Sequence, residues 1–375
     1  MLNSEVALYI HIPFCKSKCF YCDFPSFCGK ESLMIDYAKA LSKEIDRIED
    51  VKIKTIFIGG GTPTYLPLEA WNIIKNSIDK LDKSNNIEFT VEGNPGTFSR
   101  EKLKFLNSMG VNRLSIGLQA WQNNLLKNLG RIHNLEEFLQ TFQKAREEGF
   151  SNINIDLMFG LSHQTFENWQ ETLKNIIQLN PEHISCYSLI IEEGTKLYNM
   201  YNSNKLKLPS EDLEREMYRY CLEILELNNY TQYEISNFAK KNKQCKHNLA
   251  YWNLYDYIGC GAAAHSYFNN KRYRNTNSIE NYIDSIYKGK SPIEEIHNNS
   301  LKDNVEEFMF MGLRKTKGIS MEDFKKRFNV NIYHVYGEII NKYLNNNLLI
   351  QKEDRLFLSK RGIEISNSIM CDFII

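Results

Sequence analysis

Apolar positions along the chain follow two rhythms that alternate with each other. Short runs rich in β-branched and aromatic residues recur at Leu8 to Ile12, Thr55 to Ile58, Glu88 to Val91, Arg113 to Leu118, Asn152 to Met158 and His183 to Leu189. Between them the spacing changes to three or four, as in Leu33, Tyr37, Leu41, Ile45 and Ile48 with Lys and Glu interposed, the pattern of an amphipathic helix. Six strands alternating with helices predict a parallel sheet with helices outside. Gly, Pro, Asn or Cys motifs follow the strands, at the end where a parallel β/α barrel carries its chemistry. Six units fall short of an eight-fold barrel, so the expected α/β fold is an incomplete parallel (β/α)6 barrel with an open side. A doubly wound open sheet shares the same alternation.

Beyond about residue 195 the regularity loosens. A charged helix is expected at Glu211 to Leu227, then short segments at Gln232 to Phe238 and Tyr257 to Tyr267, and the Asn- and Lys-rich stretch from Asn269 to Ser300 reads as a connector. Helices at Asp303 to Arg314, Met321 to Phe328 and Ile332 to Asn345 precede the hairpin-like LLIQKEDRLFLSKRG. The expected division is a partial barrel over 1–230, a connecting region over 231–300 and a small winged-helix-like domain over 301–375.

Charge adds little to this picture. The 375 residues carry 46 Lys and Arg against 46 Asp and Glu, which gives no electrostatic case for nucleic acid. Residues 301–375 hold twelve basic against ten acidic side chains, so the winged-helix-like shape brings no basic face with it. No window approaches the roughly 18 to 20 apolar residues of a membrane span, and no signal peptide is expected ahead of Pro13. Nine cysteines are present, three of them crowded near the start, a distribution that suggests reduced thiols in a cytoplasmic setting.

Those three form Cys15-Lys-Ser-Lys-Cys19-Phe-Tyr-Cys22, on the loop after the first strand. Thiolates are the usual ligands of iron-sulfur clusters, and a [4Fe-4S] electron carrier ordinarily uses four. Three leave one iron open to a chelating ligand such as the amino and carboxylate groups of S-adenosylmethionine, with the protein positioning and shielding radical chemistry that belongs to the cofactor. Zinc held by the three cysteines and His11 is the alternative, although no second cysteine pair accompanies the motif.

Chemistry-bearing residues continue at later strand ends. Gly59-Gly60-Gly61-Thr62-Pro63-Thr64 allows backbone to approach a ligand closely. Glu92-Gly-Asn-Pro95, Gln119, Arg131 and Asp156 follow the third to fifth strands. Each alone reads as readily as a helix cap or surface charge; together they form a ring able to hold a nucleoside.

The segments YIHIPFCKSKCFYCDF, IFIGGGTPTYL, VEGNPGTF, RLSIGLQ, LGRIHN, INIDLMFGL, YSLIIEEGT, YEISNFA, KHNLAYW and GCGAAAHSY resemble, in order, the radical S-adenosylmethionine family of oxygen-independent coproporphyrinogen dehydrogenases, and within it the heme chaperones of the HemW type. The resemblance implies that Cys15, Cys19 and Cys22 ligate a [4Fe-4S] cluster. It also implies that Tyr9, Tyr21, Gly60, Gly61, Thr62 and Glu92 surround S-adenosylmethionine. Gln119, Arg131 and Asp156 match nucleoside-contacting positions of the dehydrogenase, and His265 falls nearer the cofactor than any haem. The dehydrogenase pattern has a further cysteine two positions after the third; here that residue is Phe24.

His247-Asn248-Leu-Ala-Tyr251-Trp252 looks like the HNxxYW motif of the chaperones. Imidazole is a common axial ligand of haem iron, and Tyr and Trp rings pack on flat apolar ligands. The resemblance therefore implies haem as cargo, haem-accepting respiratory apoproteins as partners, contact with a membrane surface from the cytoplasm, and a possible homodimer. A hydrogen-bonded core histidine is the competing role for His247, and coproporphyrinogen oxidation is the competing function.

Overall fold

The computed structural model describes residues 4–374. Its centre is built from β1 (Ser4–Ile12), β2 (Val51–Gly60), β3 (Lys83–Gly93), β4 (Arg113–Gln119), β5 (Ile153–Phe159) and β6 (His183–Ser188), each parallel to the next. The helices Met34–Ile45, Leu68–Lys80, Arg100–Ser108, Leu135–Glu147 and Phe166–Leu179 lie among the connections. The strands stand side by side in sequence order, without the reversal that defines a doubly wound sheet. The fold is an incomplete (β/α)6 barrel.

Alternation along the strands decides which side chains meet the helices. Successive residues of a strand point to opposite faces. Leu8, Ile10, Ile12, Ile56, Ile58, Phe89, Val91, Leu114, Ile116, Ile153, Ile155 and Ile184 share one buried core with helix residues such as Tyr37, Leu41, Trp71, Leu103 and Trp169. The other face carries His11, Glu88, Thr90, Glu92, Arg113, Ser115, Asn154, Asp156 and His183 into the barrel. Helix starts are fixed locally: Asn134 with Glu137, and Thr165 with Asn168, make reciprocal capping boxes.

After the helix Glu211–Leu227 come β7 (Thr231–Glu234), β8 (Asn237–Ala239), β9 (Tyr257–Cys260), β10 (His265–Phe268), β11 (Lys271–Asn275) and β12 (Ile293–Asn298). They extend the sheet at both ends, in the order β12-β11-β10-β9-β1-β2-β3-β4-β5-β6-β8-β7. The stretch expected as a connector thus forms β11, the helix Ile279–Tyr287 and β12. Composition hid them because β12 is an exposed edge, while only Ile279, Tyr282 and Ile286 supply the helix's buried side. At the far end β8 pairs with β6 at His183, Ile184 and Ser185. Among the described residues no strand flanks Cys186 to Ser188 on that side, and the barrel stays open there.

The C-terminal unit has its own core around Phe308, Met309, Phe324, Tyr336, Ile340 and Phe373. The helices Leu301–Gly312, Met321–Phe328 and Ile332–Asn345 accompany a sheet of β13 (Ile319–Ser320), β14 (Leu349–Lys352) and β15 (Arg355–Leu358), with β15 central and antiparallel to both neighbours. This is the winged-helix-like arrangement expected.

Glu44, on the first barrel helix, ties the extension to the barrel. Its carboxyl accepts from the Gly261 N–H at 2.7 Å, Asn275 Nδ2 at 2.7 Å and Tyr282 Oη at 2.5 Å. Replacing it by Ala strands three buried donors, so Glu44→Ala should lose about 2–4 kcal/mol in urea unfolding, and Glu44→Gln should lose less. Equal stability of Glu44→Ala and the parent would contradict this role.

Candidate functional site

The chain leaves β1 at Ile12 and turns at Pro13 into the cysteine loop. That loop is pinned by backbone bonds: Cys15 N–H to Phe27 O at 3.0 Å, Phe27 N–H to Pro13 O at 2.8 Å, Phe20 N–H to Leu129 O at 2.9 Å and Leu197 N–H to Phe20 O at 2.8 Å. Gly130 has φ +73°, and a Cβ there would collide with the Phe20 ring, so the segment after β4 can lie against the loop only as glycine. All three thiols are free. Burial raises the Cys15 thiol and pushes Cys22 up to about 11; a metal that takes them as thiolates must displace their protons.

The thiols border one open cavity of about 150 Å³, together with Tyr21, Gly60, Gly61, Glu92, Gln119, Arg131 and Asp156. Three thiolates lining one cavity would leave the fourth corner of a [4Fe-4S] cluster to a ligand there. Cys28, on the same loop, is exposed and lies outside the lining.

A hydrogen-bonded arc joins two of these cysteines. Arg131 Nη1 donates to Cys19 Sγ at 3.3 Å, and its Nη2 donates to Asn94 Oδ1 at 2.6 Å and Gly117 O at 2.5 Å. Asn94 Nδ2 donates to Thr62 Oγ1 at 2.9 Å, and Thr62 Oγ1 lies 3.5 Å from Cys15 Sγ. Thr62 therefore stands behind Cys15 and holds it. Gly60, at φ +106°, has no room for a Cβ beside the His11 ring, and its N–H points at Glu92 Oε2 at 3.4 Å.

Two carboxyls dominate the electrostatics of the cavity. Burial, reinforced by Asp156, pushes Glu92 up to about 8. Burial also raises Asp156, against hydrogen bonds from Asn154, Ser185 and Ser115. A cationic ligand beside Glu92 would favour its ionised form. Gln119 sits at φ +77°, a costly conformation for a side chain other than glycine, at a register shift between β4 and β5. Its Oε1 accepts from Tyr187 Oη at 2.8 Å.

Two of the remaining expected residues lie elsewhere. Tyr9 sits outside the cavity lining, bonded to His11 Nδ1 at 2.9 Å and stacked on Phe57 at 6.4 Å. His265 is exposed on β10, opposite Arg274, and does not line the cavity.

The HNxxYW segment forms the helix Lys246–Trp252 and packs against the opposite end of the barrel. Glu88 accepts from the Lys246 N–H and the His247 N–H, each at 3.0 Å, four residues and about 13 Å along β3 from Glu92. His247 is 1 % exposed. Its Nδ1 is 2.8 Å from Thr55 Oγ1 and its Nε2 is 2.8 Å from Tyr251 Oη. Burial and the nearby Arg113 charge push it down to about 3, so it is a neutral imidazole with both nitrogens engaged. Ligation of haem iron by His247 requires one of those bonds to open. Asn248 lies partly exposed on the same helix, and Trp252 lies under Arg314, whose guanidinium is 4.6 Å from the ring centre.

Residues 9–176 match the Radical SAM superfamily and residues 299–365 the HemN C-terminal domain. The chain is 38 % identical to heme chaperone HemW of Bacillus subtilis over 98 % of both chains. It is 36 % identical to heme chaperone HemW of Lactococcus lactis over 100 % of this chain and 99 % of that one. The chain belongs to the HemW family. Its fold matches that of coproporphyrinogen III oxidase (HemN) from Escherichia coli, a radical SAM enzyme, with a TM-score of 0.86 over 99 % of this chain and 90 % of that one, at 20 % identity.

Against this HemW-family frame, reading from sequence overlooked Asn94, Tyr187 and Glu88. Asn94 was visible inside EGNP, but only contact shows that it links Arg131 to Thr62. Tyr187 and Glu88 had a weaker signal, as polar positions on the inward phase of otherwise apolar strands.

Because Glu92 is raised from the ordinary 4.5 to about 8, the folded chain holds this proton more tightly than the unfolded chain does. The resulting stabilisation is full below about 4.5 and is lost as pH rises through about 8. Glu92→Gln, always neutral, escapes that loss. Without ligand, its melting temperature should gain on the parent across this window, and a constant difference would contradict the assignment.

Proposed function

We propose that the chain is a haem-binding chaperone that carries a [4Fe-4S] cluster with S-adenosylmethionine and hands haem to respiratory apoproteins at the membrane from the cytoplasm. The observation that carries the reading is the cavity in which three free thiols, the Arg131–Asn94–Thr62 arc and the Glu92 and Asp156 carboxyls converge, in a barrel that also holds an HNxxYW helix. Membership of the HemW family supports the cargo. Among the described residues no helix is long and apolar enough to cross a membrane.

Cys15, Cys19 and Cys22 hold the cluster, and Gly60 and Gly61 let backbone approach the methionine end of S-adenosylmethionine. Glu92 would offset its positive charge, while Gln119, Arg131 and Asp156 would hold the nucleoside. Bound there, the cluster supplies a low-potential electron to the sulfonium. The protein's part is to seat both groups and to keep the thiolates oriented through Thr62 and Arg131.

The competing reading, oxidative decarboxylation of coproporphyrinogen III, gains from the shared fold and loses from Phe24, which is exposed where the dehydrogenase pattern has cysteine. Anaerobic incubation of the reconstituted protein with coproporphyrinogen III, reductant and S-adenosylmethionine should leave the substrate unchanged; formation of protoporphyrinogen IX would reverse the choice.

Haem titration tests the chaperone reading itself. The cluster-loaded protein should bind haem, and His247→Ala should weaken that binding while the cluster absorption stays intact. Unchanged haem affinity would remove the HNxxYW helix from haem handling.

A further inference from the structure

On the open side of the barrel lies a second cleft, shallow and of about 250 Å³, between the upper part of β6 and the C-terminal unit. One wall is apolar and aromatic, with Phe159, Tyr187, Ile190 and Tyr218 from the barrel side facing Ile235 and Ile363. Ile190 is 62 % exposed at present, an apolar surface that a ligand would cover.

The charges of the cleft are unevenly satisfied. Glu364 is engaged by Arg219 at 2.9 Å and Glu214 accepts from Ser188 Oγ at 2.6 Å, so both acids have partners. Arg215 has only a 3.5 Å contact to Glu211. Arg314 lies 4.6 Å from the Trp252 ring centre with its Nε buried and without a hydrogen-bond partner, and its charge is answered in part by Glu234. A half-exposed guanidinium and a second one with a buried, unbonded Nε, both beside apolar walls, suit carboxylates carried on a flat apolar body.

Two connections give the cleft functional weight. Tyr187 lines both this cleft and the cysteine cavity, where its hydroxyl donates to Gln119. Arg314 joins it to the HNxxYW helix through Trp252.

We propose that this cleft is the haem-binding site, with the macrocycle against Ile190, Tyr218 and Ile235 and its carboxylates at Arg215 and Arg314. The proposal rests on the chaperone reading and assigns His247 a positioning role: it anchors the helix that carries Trp252 beneath Arg314. The cargo then lies beside the cofactor cavity, separated from it by the Tyr187 ring.

The test is a spectroscopic titration of the cluster-loaded full chain with hemin and with hemin dimethyl ester, whose carboxylates are masked. The ester should bind the parent roughly tenfold more weakly than hemin, the loss expected from one charge-assisted contact. Arg215→Glu, at the exposed lip, should weaken hemin binding to a similar degree and leave ester binding unchanged; Arg314→Lys should fall between Arg314→Ala and the parent. Equal binding of hemin and its ester by the parent, or wild-type hemin affinity in folded Arg215→Glu and Arg314→Ala, would overturn the cleft assignment and leave the chaperone reading standing. Failure of the parent to bind hemin at all would overturn both.

Discussion

The two-residue period of the parallel strands is the constraint on which the rest of the molecule depends. Apolar residues on one phase are taken up by the helices, so the other phase is free to be polar inside the barrel. A buried polar group left unmatched costs about 1–3 kcal/mol, and the interior answers with a network. Tyr233 and Asn154 flank His183 at 2.9 and 2.6 Å, and Asn154 reaches Ser115 and Asp156 at 2.8 and 2.7 Å. Near the cysteine loop Asp156 is held by that network, whereas Glu92 meets the Gly60 N–H at 3.4 Å. Glu92 and Asp156 stand together under burial there, in the cavity with the free thiols.

The same constraint separates two ends of the barrel. The cysteine loop and the Gly-rich turn occupy the ends where the strands finish, while the HNxxYW helix is clamped by Glu88 and Thr55 lower down. His247 has the environment of an anchor, and the cleft on the open flank touches both ends through Tyr187 and Arg314. A barrel closed by two more units would have covered that flank. Incompleteness thus leaves the cleft beside the cysteine cavity open to solvent.

Much of this was legible in sequence because it is local. The six central strands, the cysteine spacing and the amphipathic first helix all announce themselves within short windows, and the placing of Gly60 and Glu92 follows from the C-terminal ends of β2 and β3. What was not legible depends on distant contact. The 269–300 stretch looked like a connector because an exposed edge strand such as β12 has no apolar face to reveal it. The motif around His247 promised a ligand, yet its imidazole is engaged by Thr55 from β2, 192 positions away in the chain. Asn94 and Tyr187 gain their meaning only from Arg131 and Gln119.

The central claim is that three thiolates on one loop hold an iron-sulfur cluster. Iron and acid-labile sulfide analysis after anaerobic reconstitution tests it most directly, with Cys15→Ala, Cys19→Ala and Cys22→Ala alongside the parent. The account predicts about four irons and matching sulfide per parent chain, lost in each variant and kept in Cys28→Ala. One zinc per chain with no broad visible absorption, or a full cluster in any of the three variants, would contradict it.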